Sequence, residues 1–290
     1  MNSKIVLTIQ KQLKDITNKK FSKKYINKKI LPVINHIARS DKKKFLIGGS
    51  QGVGKSTLVY VIKKNIQTFY NKRVLTLSLD DYYLSKKKRF SLSKKIHPLL
   101  STRGVPGTHN IKLLINHIKQ FNNSKYPINV PIFDKLIDDS LSKKRKEHSK
   151  ADILILEGWC CGAKQMKSNF LLKNINSLEK NQDKKYLWRK YYNNKLKYEY
   201  HDLFKMFDYK IFLKASSFKY VLNWRLKQEK MNKSNLNIQK KMDQKNLINF
   251  IQHYEKLTRW MLKNHKTMFD LIIKVNNKQK IIAVTKNKIN

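Results

Sequence analysis

One run of eight residues constrains this chain more than any other: Gly49-Ser50-Gln51-Gly52-Val53-Gly54-Lys55-Ser56, with the spacing G-x-x-x-x-G-K-[ST]. It stands between a short apolar stretch, Phe45-Leu46-Ile47, and a helical pattern carried by Leu58, Val59, Val61, Ile62, Ile66 and Phe69. Strand, glycine-rich turn and helix in that order are the context the motif needs. In such a turn the backbone N–H groups point inward at phosphate oxygens, and the N-terminus of the following helix adds partial positive charge. Lys55 reaches the terminal phosphates and Ser56 offers an oxygen to Mg²⁺. The turn, extended by Thr57, is therefore the expected triphosphate site, with ATP and Mg²⁺ as its ligands. Half of the chain's 8 glycines fall at Gly48, Gly49, Gly52 and Gly54. Where glycine is this scarce, each one marks a backbone that needs positive φ or a close approach.

The remaining pattern is that of an α/β protein. Residues 1–40 read as a basic helical extension with Phe21, Tyr25, Ile30, Val33, Ile34 and Ile37 at helical spacing, and residues 41–290 as one further domain. Residues 73–79 alternate like a second strand that ends at Asp80-Asp81. Ile153 to Leu156 form a continuous apolar run of buried-strand type ending at Glu157. Ligands bind at the carboxyl ends of strands in open α/β sheets, so these acids are well placed for chemistry. Residues 85–100 show no period and read as a mobile loop, residues 130–133 as one short edge strand, and 134–150 as irregular. Helices follow over roughly 110–121, 164–207, 217–230 and 243–265, with strands at 209–213, 271–275 and 281–284.

Composition first suggests a different kind of protein. With 64 Lys+Arg against 19 Asp+Glu the formal charge is +45, as in a nucleic-acid binder. The cations, however, are 56 Lys and only 8 Arg, beside 28 Asn and 29 Ile, a profile that adenine/thymine-rich codons impose on any protein. A surface shaped to read phosphate would use more of arginine's planar fork. The charge is read as background and no specific nucleic-acid partner is expected. At 40% hydrophobic residues the chain can bury a core, and no apolar run approaches the roughly 18 residues of a membrane-spanning helix. Adjacent Cys160 and Cys161 cannot form a conventional cross-link, which fits a reducing, cytoplasmic setting.

Of the acids, Asp80, Asp81, Asp134, Asp138 and Asp139 cluster in sequence, and Glu157 ends the buried strand. Phosphoryl transfer to a hydroxyl needs a base for the proton and a carboxylate for Mg²⁺, directly or through water. Two acids at strand ends beside a phosphate loop meet both needs.

Together these segments resemble a known family. The 48–57 stretch, Ser78-Leu79-Asp80-Asp81-Tyr82-Tyr83-Leu84, Arg103-Gly104-Val105-Pro106-Gly107-Thr108-His109, Phe133-Asp134-Lys135, Leu156-Glu157-Gly158-Trp159 and Asn223-Trp224-Arg225-Leu226 resemble the glycerate 3-kinase family. That family belongs with uridine kinase, phosphoribulokinase and bacterial pantothenate kinase. The resemblance continues through residues 250–259, covers most of 45–275, and leaves the first 40 residues outside. It implies a three-layer P-loop fold with a mostly parallel sheet and a helical lid. It also implies Asp80 as general base with Asp81 as helper, Glu157 as the acid holding Mg²⁺ with Ser56 and Asp80, partly through water, and Arg225 as a lid arginine on the transferring phosphate. Tyr83, Arg103, His109, Asp134 and Lys135 would line the acceptor side, with Arg103 as the cation for a substrate carboxylate. Asn110 stands where the family usually has Asp, which leaves helix capping intact and removes a charge.

The implied activity is transfer of the γ-phosphate of ATP to a small hydroxy acid, D-glycerate foremost. Pantothenate or a nucleoside is the alternative acceptor, the latter with Tyr82, Tyr83 and Trp159 as stacking surfaces. An ATP-dependent nucleic-acid-binding or regulatory protein is the alternative from another class, supported by the charge and the basic, aromatic stretch 184–200.

Overall fold

Period-two alternation sorts the strand side chains onto two faces of one sheet. A computed structural model describes residues 2–232 and 244–287 of the chain. Its strands are β1 (Lys44–Gly49), β2 (Val74–Ser78), β3 (Ile128–Val130), β4 (Phe133–Asp134), β5 (Asp139–Ser140), β6 (Arg145–Glu147), β7 (Ile153–Gly158), β8 (Tyr209–Ala215), β9 (Leu271–Val275) and β10 (Ile281–Lys286). The main sheet has the order β10-β9-β8-β1-β7-β2, parallel except for β10 at one edge. On one face Leu46, Leu77, Leu154, Leu156 and Phe212 join one hydrophobic core. On the other, Phe45, Ile47, Ile153, Ile155, Ile211 and Leu213 join a second. A parallel sheet covered on both faces by helices is the three-layer architecture the apolar run of β7 requires.

The helices are α1 (Asn2–Thr17), α2 (Lys23–Tyr25), α3 (Leu31–Arg39), α4 (Lys55–Phe69), α5 (Lys86–Lys95), α6 (Ile111–Asn122), α7 (Ser168–Leu172), α8 (Ser177–Gln182), α9 (Leu187–Lys197), α10 (Glu199–Lys205), α11 (Phe218–Asn232) and α12 (Gln244–Asn264). Residues 26–30, between α2 and α3, form a π-helical turn. The N-terminal segment is packed against α4: Ile5, Ile9, Leu13, Ile26 and Ile34 are buried in the same core as Val61 and Ile62 of that helix. Part of the expected lid connection, residues 233–243, lies outside the described residues.

Two local expectations are corrected. The supposed loop 85–100 contains α5, capped by Ser85 Oγ accepting from Lys88 N–H. It has no apolar stripe to reveal it because a charged residue holds it in place. Arg89 is fully buried and donates to Leu84 O, Ser101 O and Asp138 O. The single strand expected at 130–133 is split by Pro131, leaving β3 paired with β6 and β4 with β5. A proline that cannot donate to a ladder separates them.

The basic stretch 184–200 is mostly α9, whose Trp188, Arg189, Tyr192 and Leu196 are buried while its lysines face outward. Among the described residues no helix is long and apolar enough to cross a membrane.

Candidate active site

Strand register brings the phosphate turn and the acids to one edge of the sheet. β7 lies between β1 and β2, pairing Ile47 with Glu157 and Gly48 with Gly158 on one side, and Ser78 with Glu157 on the other. The turn following β1, the acid ending β7 and the Asp80-Asp81 turn following β2 are therefore neighbours. α4 begins directly at Lys55 because Gly54 adopts φ 101°, a left-handed conformation that only glycine takes without strain. Lys55 Nζ folds over the turn and donates to Ser50 O at 3.2 Å. Ser56 Oγ donates to Glu157 Oε1 at 2.9 Å, and Ser78 Oγ donates to the same oxygen at 3.2 Å.

This donor set fits the ligands the motif implies. Ser50 Oγ and Gln51 Nε2 are buried with no hydrogen-bond partner among the described residues, two donors that a phosphate tail would satisfy. Ser56 and Glu157 are the hard-oxygen groups that would face Mg²⁺, an ion that takes one or two carboxylates plus substrate phosphates rather than a protein cage. Among the described residues no group of three or more His, Cys, Asp or Glu forms such a cage.

Beyond the phosphate turn, Asp80 meets Lys135 Nζ at 2.6 Å. Burial pushes the Asp80 carboxyl up, but the Lys135 ammonium, aided by Lys55, outweighs it and holds the group below the usual carboxylate range. Asp81 is the reverse case, raised by burial although it accepts from Phe133 N–H. Tyr83 is buried and stacks on His109 with ring centroids 4.3 Å apart. Arg103 lies over the Phe133 ring and is ion-paired with Asp138, which also binds Arg89 at 2.9 Å. Asp134 Oδ1 accepts from Leu136 N–H in the hairpin turn. Arg225 is half-buried on α11, near enough to the Tyr254 phenol to bias its ionisation. Tyr82 and Trp159 are core residues, bonded to His117 and Gly104 O, so neither presents a face for stacking a nucleoside.

Three contributors were not singled out from the sequence for these roles. Asp138 orients Arg103, and Tyr254 Oη donates to Arg103 O at 3.0 Å. Tyr200 Oη accepts from Gly107 N–H at 3.1 Å and lies 2.6 Å from His109 Nδ1. Burial drives the His109 imidazole down to about 3, so the ring is neutral near pH 7. Nδ1 is the acceptor within reach of the buried phenol, so the Tyr200 O–H donates to Nδ1 and the neutral imidazole carries its proton on Nε2. That Nε2–H has no partner among the described residues. The partners lie 91 residues apart, so no local pattern announces the pair.

No family model matches the sequence. The chain is 31% identical over 239 residues to the uncharacterized kinase mug58 of Schizosaccharomyces pombe, covering 78% of this chain and 84% of that one. It is 25% identical over 190 residues to the chloroplastic D-glycerate 3-kinase of Arabidopsis thaliana, covering 62% of this chain but only 39% of that longer protein. Its fold superposes on the solved D-glycerate 3-kinase of Cryptococcus neoformans with TM-score 0.69 at 24% identity, covering 89% of this chain and 96% of that one.

Proposed function

Because the chain belongs to the family of P-loop kinases that includes mug58 and the D-glycerate 3-kinases, we propose that it transfers the γ-phosphate of ATP to a hydroxyl of a small hydroxy acid, D-glycerate foremost. The observation that carries this reading is the meeting of Lys55, Ser56, Glu157 and the Asp80 turn at adjacent strand ends.

The backbone amides of residues 49–57 cradle the triphosphate, and Lys55 exchanges its bond to Ser50 O for the terminal phosphates. Ser56, Glu157 and Asp80 would hold Mg²⁺, in part through water, and the ion would supply neutralisation of the charge on the phosphates. Asp80 takes the proton from the acceptor hydroxyl as its oxygen bonds to the γ-phosphorus, while the bond to the β–γ bridging oxygen breaks and ADP leaves. Arg225 stabilises charge on the phosphoryl oxygens, and Asp81 supports the Asp80 turn. Arg103 and Lys135 attract the acceptor carboxylate, and His109 Nε2–H, framed by Tyr83, offers a donor to an acceptor oxygen.

Purified protein incubated with Mg-ATP and D-glycerate, pantothenate, uridine or ribulose 5-phosphate should release ADP fastest with D-glycerate. Preference for another acceptor would overturn the glycerate assignment, and no release with any would overturn a hydroxy-acid kinase reading.

A further inference from the structure

A cavity of about 650 Å³ opens beside the phosphate turn, between the start of α4 and the N-terminal segment. Its floor includes Gly54 to Thr57, so it is continuous with the place where the phosphates would sit. It is also lined by Trp224 of α11 and Gln279 of the β9–β10 turn, and by Thr17, Lys19, Phe21 and Tyr25 of the N-terminal segment. The size is that of a small-molecule site, and a lining that sets aromatic and aliphatic side chains beside polar ones suits a planar ring with a sugar.

We infer that the N-terminal segment is a working part of the nucleotide site, with residues 17–25 forming a wall of the pocket that takes the base and ribose of the nucleoside triphosphate. This inference rests on reading the 49–56 turn as the triphosphate site.

The wall is built and tied to that turn. Asn18 closes α1 with positive φ, 53°, its N–H donating to Lys14 O at 2.8 Å, and this turns the chain so that Phe21 follows at the cavity. Gln10 Nε2 donates to Phe21 O at 2.6 Å, and the Phe21 and Tyr25 rings lie 5.4 Å apart. Lys19 Nζ donates to Gln279 Oε1 at 3.3 Å, and Gln279 Nε2 donates to Gly52 O at 2.6 Å, a two-bond link from the segment to the phosphate turn. Tyr25 Oη accepts from Ile281 N–H at 2.7 Å, and Trp224 Nε1 donates to Asn277 O at 2.8 Å, fixing the wall from both ends. Gly52 is pressed against this wall: a Cβ there would lie 2.8 Å from Trp224 Cβ. Base, ribose and phosphates thus meet one connected surface to which the first 25 residues contribute.

The test compares Mg-ATP with tripolyphosphate, which fills the turn but has no base. Phe21→Ala in the full chain should weaken Mg-ATP binding by roughly tenfold and leave tripolyphosphate binding unchanged. In the wild-type protein, amide exchange over residues 17–25 should slow with Mg-ATP and not with tripolyphosphate, a readout that needs no substitution. Equal Mg-ATP affinity in wild type and variant, or unaltered exchange with Mg-ATP bound, would overturn the wall while leaving the phosphate turn standing. Wild-type protein that binds neither compound would instead overturn the reading of the turn itself, and the wall with it.

Discussion

At the scale of single residues, the ion pair between Lys135 and Asp80 sets the state of the proposed base. The ammonium at 2.6 Å holds the carboxyl below its ordinary range, so Asp80 stays ionised and ready to accept a proton down to low pH. A base must be ionised, and activity falls as pH drops through its pKa. Lys135→Met removes the main opposing charge and leaves burial to push the carboxyl up. The acid limb of the kcat/KM profile should therefore move to higher pH, and a limb that stays in place would mean that Lys135 does not tune the base. His109 makes the same point about partners: its tautomer is set by Tyr200 on a distant helix, a relation that only the fold reveals.

At the scale of elements, what the sequence discloses depends on how local the physical requirement is. The phosphate turn is legible because one strand, one turn and one helix satisfy it completely, and β7 because a strand buried on both faces must be apolar throughout. α5 is not legible, since its anchor is Arg89, whose acceptors come from Leu84, Ser101 and Asp138 in three separate stretches. Nor is the role of residues 17–25, which lies in what faces them across the cavity. Because the Arg89 guanidinium is fully buried and paired with Asp138, Arg89→Ala should cost about 3 kcal/mol of stability. The same change should loosen the β4–β5 hairpin, which Arg89 ties down through Asp138 O. Urea unfolding measures the cost, and a change within about 0.5 kcal/mol, the usual range for surface positions, would reject the anchor.

At the scale of the whole molecule, buried neutral histidines govern the response to acid. Burial lowers His36, His117 and His265, takes His253 to about 4 and takes His109 to about 3. The unfolded chain takes up these protons near the ordinary value of 6.5, before the folded chain does. Stability from this source is complete above that value and is lost as pH falls from 6.5 toward 3. The urea midpoint should be lower at pH 5 than at pH 7.5, and equal midpoints would count against buried neutral imidazoles. The charge of +45 adds self-repulsion but has no part in the proposed catalysis. That catalysis depends on three strand ends acting together, the turn after β1 holding ATP while the acid after β2 takes the proton. Asp80→Asn separates the two tasks in one protein. With Mg-ATP affinity and D-glycerate phosphorylation measured side by side, the account predicts that ATP binding is kept while transfer falls by roughly a hundredfold or more, and full transfer by that variant would contradict it.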